Sequence, residues 1–154
     1  MNFPILSAVT FLPFIGSIFI LLIKDSTYKN IKNANYVAIF TSFVNFFLSI
    51  FLWFSFDSST SDFQFIENKQ WVKGYFNFKF GIDGISILFI LLTAFITPLC
   101  ILSVINSVKV RVKEFLVAIL VMETLMIGVF CSLDLVLFYL FFEGGLIPMF
   151  LIIG

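Results

Sequence analysis

Hydrophobic and polar positions fall into long blocks along this chain of 154 residues. Apolar runs at 3–23, 36–56, 85–105, 115–131 and 135–153 are separated by polar links. A bilayer core of about 30 Å takes about 20 helical residues to cross, so each run is predicted to be a transmembrane helix. The first run lacks the basic start and small-residue cleavage site of a signal peptide. Pro4 stands near its start, where proline is tolerated, while Pro13 inside it and Pro98 inside the third run predict bends. Asn45 and several serines interrupt the second run and can hydrogen-bond across a helix interface. The expected fold class is all-α: a polytopic integral membrane protein with a single membrane domain over 1–154.

The long polar stretch 57–84 has a different period. Phe76-Asn77-Phe78-Lys79-Phe80 alternates strictly, as a strand does, and Phe63-Gln64-Phe65 is a shorter alternating piece. With Lys73-Gly74 between them, a small β-hairpin on the membrane surface is expected. Trp71 and Tyr75 suit an interfacial position. Asp83 or Ser86 can cap the third helix, and Asp134, in the tight turn Ser132-Leu133-Asp134, can cap the fifth.

Basic residues set the orientation. The links 24–35 and 106–114 each hold three Lys or Arg against one acid, whereas 57–84 holds three against four. The positive-inside rule then puts the first two links on the cytoplasmic side, or the matrix side of a mitochondrion. Residue 1 is placed outside and Gly154 inside.

Composition agrees. Charged residues make up 12% and hydrophobic ones 61%, with a mean hydropathy of +1.14; soluble domains are about a quarter charged. A net charge of zero gives no reason to expect nucleic acid as a partner. The absence of histidine excludes His-ligated haem and the common His-containing zinc sites. Cys100 and Cys131 lack metal-site spacing and fall near opposite faces, so they are expected to be free thiols. Neither a metal nor a cofactor is assigned to any residue. The 24 phenylalanines are read as bulk for lipid contact and helix packing.

Two acids stand inside apolar runs. Glu143 lies near the middle of the fifth run and Glu123 in the fourth. A carboxyl group at that depth costs roughly 2.5 kcal/mol or more on insertion scales, and is a functional-site hypothesis by default. Glu123 is eight residues before Cys131 and Glu143 nine beyond Asp134. At 1.5 Å per residue both lie about 12–14 Å below the outer surface, on neighbouring antiparallel helices. Burial favours the neutral acid, and a neighbour that switches its charge makes such a group suited to passing protons. Glu143 is the main candidate for proton relay and Glu123 the second; cross-interface hydrogen bonding is the alternative role for each. The upstream helices are expected to hide Glu143 from lipid. Gly144-Gly145 offers a small-residue surface for close helix approach. Gly81-Ile82-Asp83-Gly84 is not a dinucleotide loop, because no βαβ pattern surrounds it.

Phe-Gly-Ile-Asp83-Gly-Ile-Ser86, leading into Leu-Leu-Thr-Ala-Phe-Ile-Thr97-Pro98-Leu-Cys, is followed later by Leu-Phe-Tyr-Leu-Phe-Phe-Glu143-Gly-Gly-Leu-Ile-Pro148-Met-Phe-Leu-Ile-Ile-Gly154. These segments closely resemble the antiporter-like subunit M family of NADH-quinone oxidoreductase, respiratory complex I, whose mitochondrial counterpart is subunit four. The resemblance implies that Glu143 is the essential proton-channel glutamate, while no firm role for Glu123 comes with it. It implies that other subunits bind NADH, FMN, iron–sulfur clusters and quinone, and that this chain binds none of them. The expected partners are other membrane subunits and the lipid bilayer, in a bacterial plasma membrane or the mitochondrial inner membrane. Family members are much longer, so the chain is expected to be the N-terminal third of such a subunit. Two rivals stand beside this reading: a subunit of a multisubunit cation/proton antiporter, and a truncated fragment that is inactive or serves assembly only.

Overall fold

A computed structural model describes residues 5–23, 28–56, 58–59, 62–72, 76–107 and 112–153. Pro4, the Lys73-Gly74 turn with Tyr75, the basic residues Lys24, Lys109 and Arg111, and Gly154 lie outside the described residues, as do the side chains of Lys29 and Trp71. Five helices form: α1 (Ile5–Leu22), α2 (Tyr28–Ser55), α3 (Gly84–Ser107), α4 (Val112–Cys131) and α5 (Leu135–Ile153). Each is long and apolar enough to cross a membrane. The chain is an all-α membrane protein with one small two-stranded sheet.

Helices α1 to α4 pack together, and α5 lies against α4. Small residues set the closest approaches. A methyl group placed on Gly16 of α1 would stand 2.5 Å from Thr41 of α2, and one on Gly128 of α4 would stand 2.7 Å from the Phe141 ring of α5. Both are closer than side-chain carbons approach, so these backbones meet only because no Cβ intervenes. At one end of the bundle, Lys113 at the start of α4 donates a hydrogen bond to the carbonyl of Ile23, just past α1. A cation there complements the negative end of the α1 dipole. The same contact brings the end of α1 and the start of α4 to one face of the bundle.

The hairpin forms at the opposite end. Strands β1 (Gln64–Val72) and β2 (Phe76–Ile82) pair antiparallel, with Gln64 opposite Ile82 and Lys69 opposite Phe78. β1 runs well past the short Phe63-Gln64-Phe65 alternation. A register shift near its start coincides with Phe65 at φ 56°. The hairpin is also seated on the helix ends. Phe80 and Ile82 are fully buried, in one cluster with Leu6 of α1, Leu52 of α2, Ile90 of α3 and Ile127 of α4. The Leu133 backbone N–H donates to the Lys79 carbonyl at 2.9 Å, which ties β2 to the α4–α5 turn.

Both expected caps are present. Asp83 Oδ1 accepts the Ser86 N–H at 2.8 Å, and Asp134 Oδ1 accepts the Val136 N–H at 2.8 Å. These satisfy helix-start donors that α3 and α5 would otherwise leave unpaired. Cys100 is exposed on α3 and Cys131 buried on α4, and no disulfide joins them.

The Ser86 hydrogen bond holds the Asp83 carboxyl below its ordinary range. The unfolded chain therefore takes up this proton at higher pH than the folded one. The stabilisation is complete above the ordinary Asp range and fades as pH falls through the lowered folded value. Asp83→Ala should cost about 1 kcal/mol at neutral pH. Asp83→Asn should keep most of the cap and lose this acid-dependent part, as thermal unfolding in detergent at neutral and acidic pH would read.

Candidate functional site

Glu123 sits on the buried face of α4, which an amphipathic count would not single out: the helix is apolar all round, as a membrane helix is. The residue is 2% exposed. Its neighbour is Asn45 of α2, also fully buried, whose Nδ2 donates to Glu123 Oε1 at 3.0 Å. Glu123 also borders a cavity of about 560 Å³ between α3 and α4, lined mainly by apolar side chains with Thr93 and Thr97 among them. Both threonine hydroxyls donate to carbonyls of their own helix, Thr93 to Phe89 and Thr97 to Thr93, each at 2.9 Å. This placement matches the cross-interface hydrogen bond anticipated for Asn45 and supplies its partner, which the sequence did not identify.

Glu143 is placed differently. It is exposed on α5, beside Phe142, Leu146 and Ile147, which are exposed as well. One turn earlier, the Tyr139 hydroxyl donates to its carboxylate. Only 11% of α5 is buried, against 44% of α4. The expectation that the upstream helices hide Glu143 is corrected here. They hold α5 along one edge and leave the carboxylate on the open side, because Gly128 and Leu125 of α4 meet α5 at Phe141 and Gly144 instead.

Those two contacts also fix the register. Gly128 against Phe141 and Gly144 against Leu125 set Glu143 level with Met126. That is three residues, about 4.5 Å, from the level of Glu123. The two acids are thus at similar depth, within one turn, as the sequence spacing indicated. They are not brought together: Glu123 turns toward α2 and Glu143 away from the bundle. Of the glycine pair, Gly144 makes a close approach, with a Cβ position 3.3 Å from Leu125, and Gly145 faces open space.

No family model matches the chain. Individual proteins do. It is 49% identical over 97% of its length to NADH-quinone oxidoreductase subunit M of Rhodobacter capsulatus, covering 29% of that protein. It is 47% identical over 97% of its length to NADH-ubiquinone oxidoreductase chain 4 of Marchantia polymorpha, covering 30%. Subunit M of Rickettsia prowazekii is 43% identical over the full chain, which covers 32% of that protein. The chain is a homologue of one part of the subunit M and chain 4 proteins. It spans about 30% of the length of these relatives. In structure, this subunit M homologue resembles a chain of the membrane-bound sulfane sulfur reductase, an archaeal respiratory membrane complex. The TM-score is 0.75 at 20% identity, over 96% of this chain and 22% of that one, a likeness of fold.

The register of this subunit M homologue can be measured. In a background with Cys100 and Cys131 replaced by serine, the pair Leu125→Cys and Gly144→Cys should cross-link under mild oxidation. Leu125→Cys with Gly145→Cys should not. Mobility on a non-reducing gel reads the difference, and the opposite pattern would overturn this packing of α5 on α4.

Proposed function

We propose that this chain is part of the proton-translocating membrane arm of an NADH:quinone oxidoreductase, with Glu143 as an intramembrane proton-relay carboxylate. The observation that carries the reading is a glutamate midway along an apolar helix, in a chain 43–49% identical to subunit M proteins over nearly its whole length. The relatives' names supply the complex, and the glutamate supplies the chemistry that such an arm needs. Redox cofactors belong to other subunits in this reading, and the partners of this chain are neighbouring membrane subunits and lipid.

The bare face of α5 supports the same proposal. A carboxyl group facing lipid at mid-membrane costs roughly 2.5 kcal/mol or more. Glu143 therefore calls for a protein or hydrated surface over it. The part of the relatives that this chain does not span, about 70% of their length, offers one. A relay carboxylate at the seam between two groups of helices is open to proton exchange with groups on either side of that seam.

In the assembled complex, Glu143→Gln keeps the shape of the side chain and removes the titrating proton. Assembly should be normal, while proton translocation and the quinone reduction coupled to it should fall about tenfold or more, a barrier increase of about 1.4 kcal/mol or above. Glu143→Asp keeps the proton and should retain a substantial fraction. Vesicle acidification measured beside NADH oxidation reads both, and a Glu143→Gln complex that pumps at the normal rate excludes the relay role.

A further inference from the structure

The α2–α4 contact has an electrostatic imbalance that the relay at Glu143 does not use. Asn45 and Glu123 share one hydrogen bond, Nδ2 to Oε1 at 3.0 Å. The other oxygen of each group, Asn45 Oδ1 and Glu123 Oε2, is buried and accepts from no donor among the described residues. An ionised carboxylate has only acceptor positions, so with Asn45 Oδ1 beside it this pocket would hold acceptors in excess of donors. Burying an unpaired charge costs several kcal/mol, and an unmatched polar atom a further 1–3 kcal/mol.

Among the described side chains, the surrounding helices place no positive charge at this contact. The described part of α1 carries no titratable side chain. On α2, Lys32 and Tyr36 are exposed near its start. On α3, Cys100 shares the cavity but is exposed, and the hydroxyls of Thr93 and Thr97 donate to backbone carbonyls. On α5, Tyr139 and Glu143 are exposed and engage each other. Lys113 of α4 bonds the Ile23 carbonyl, ten residues and about 15 Å along the helix from Glu123.

We infer that Glu123 is held as the neutral carboxylic acid, and that Asn45 is its positioning residue, forming with it a proton-storing site on the α2–α4 interface separate from Glu143. A proton on Oε2 converts Glu123 from acceptor to donor, and Asn45 Oδ1 is the acceptor on the facing group. An amide suits this place because it carries a donor and an acceptor on one rigid plane. With the proton absent, Nδ2 donates to the carboxylate. With it present, rotation of the amide lets Oδ1 accept the acid O–H. The side chain thus stays hydrogen-bonded in both states. A leucine would serve neither, and a lysine would fix the charged one. Glu123 also borders the cavity between α3 and α4. The storage role rests on the proton-translocating reading, but the neutral acid and its Asn45 partner do not.

Infrared spectroscopy of the full chain in detergent, with glutamate carboxyl carbons isotopically labelled, tests this. Glu123→Gln should remove a protonated-carboxyl C=O band and leave the carboxylate bands intact. Asn45→Leu should shift that band to the frequency of a free acid, and Asn45→Gln should restore part of the original position. Loss of carboxylate intensity in Glu123→Gln, with the protonated band unchanged, overturns the neutral acid. An unshifted band in Asn45→Leu overturns the positioning role, since a residue acting through packing alone would leave the frequency in place. Glu143→Gln should leave the Glu123 band where it is. A failure of the Glu143 relay to affect pumping would therefore be seen separately from a failure here.

Discussion

A carboxyl group in a hydrocarbon layer has to be covered, hydrogen-bonded or neutral, and the rest of this structure can be understood from that constraint. The chain contains two such groups and treats them in opposite ways. Glu123 is turned inward, where α2 presents Asn45 to it. Glu143 is turned outward, on the helix that the bundle covers least. The first draws its hydrogen-bond partner from this stretch of chain. The second is paired with Tyr139, one turn earlier on the same helix.

The helices were legible because membrane helices are specified by length and composition, both local properties. The runs predicted at 85–105 and 135–153 differ from α3 and α5 by two residues or fewer at each end. The hairpin was legible for a related reason: Phe76 to Phe80 alternates at the strand period, and no helix would repeat that way. The caps at Asp83 and Asp134 needed only residue type and place. The depth of the two acids followed from counting residues to the α4–α5 turn.

The remaining features are long-range contacts, which leave no periodic trace. Asn45 and Glu123 are 78 residues apart, and nothing in either run marks one as the other's partner. Several serines of α2 looked equally able to reach across an interface. In the structure many of them bond back to their own helix, as Ser49 does to the Asn45 carbonyl at 2.9 Å. Gly128 is isolated in its run, while the adjacent pair Gly144-Gly145 looked the better packing surface, yet Gly128 makes the tighter approach. The outward face of Glu143 was hidden for a similar reason. An all-apolar helix has no polar side, so its rotation cannot be derived from sequence.

Phe141 links these features. Its ring lies in the gap left by Gly128 on α4 and stands 5.9 Å from the ring of Phe80 on β2. Phe80 is in turn bridged to Ser132 at the end of α4, and Leu133 bonds the Lys79 carbonyl. The hairpin, the α4–α5 turn and the upper half of α5 are therefore fastened to each other through one aromatic side chain. Phe141 is two residues before Glu143. A shift of α5 along its axis would drive this ring out of the glycine gap and off Phe80 together, losing aromatic contact of about 0.5–1.5 kcal/mol in addition to buried area. Rotation about the axis is opposed by the same ring against the α4 backbone. The level and direction of the exposed carboxylate are thus set from the hairpin end of the bundle. The hairpin adds, through Phe80, to the α4 contacts that hold Glu143 at its level on α5.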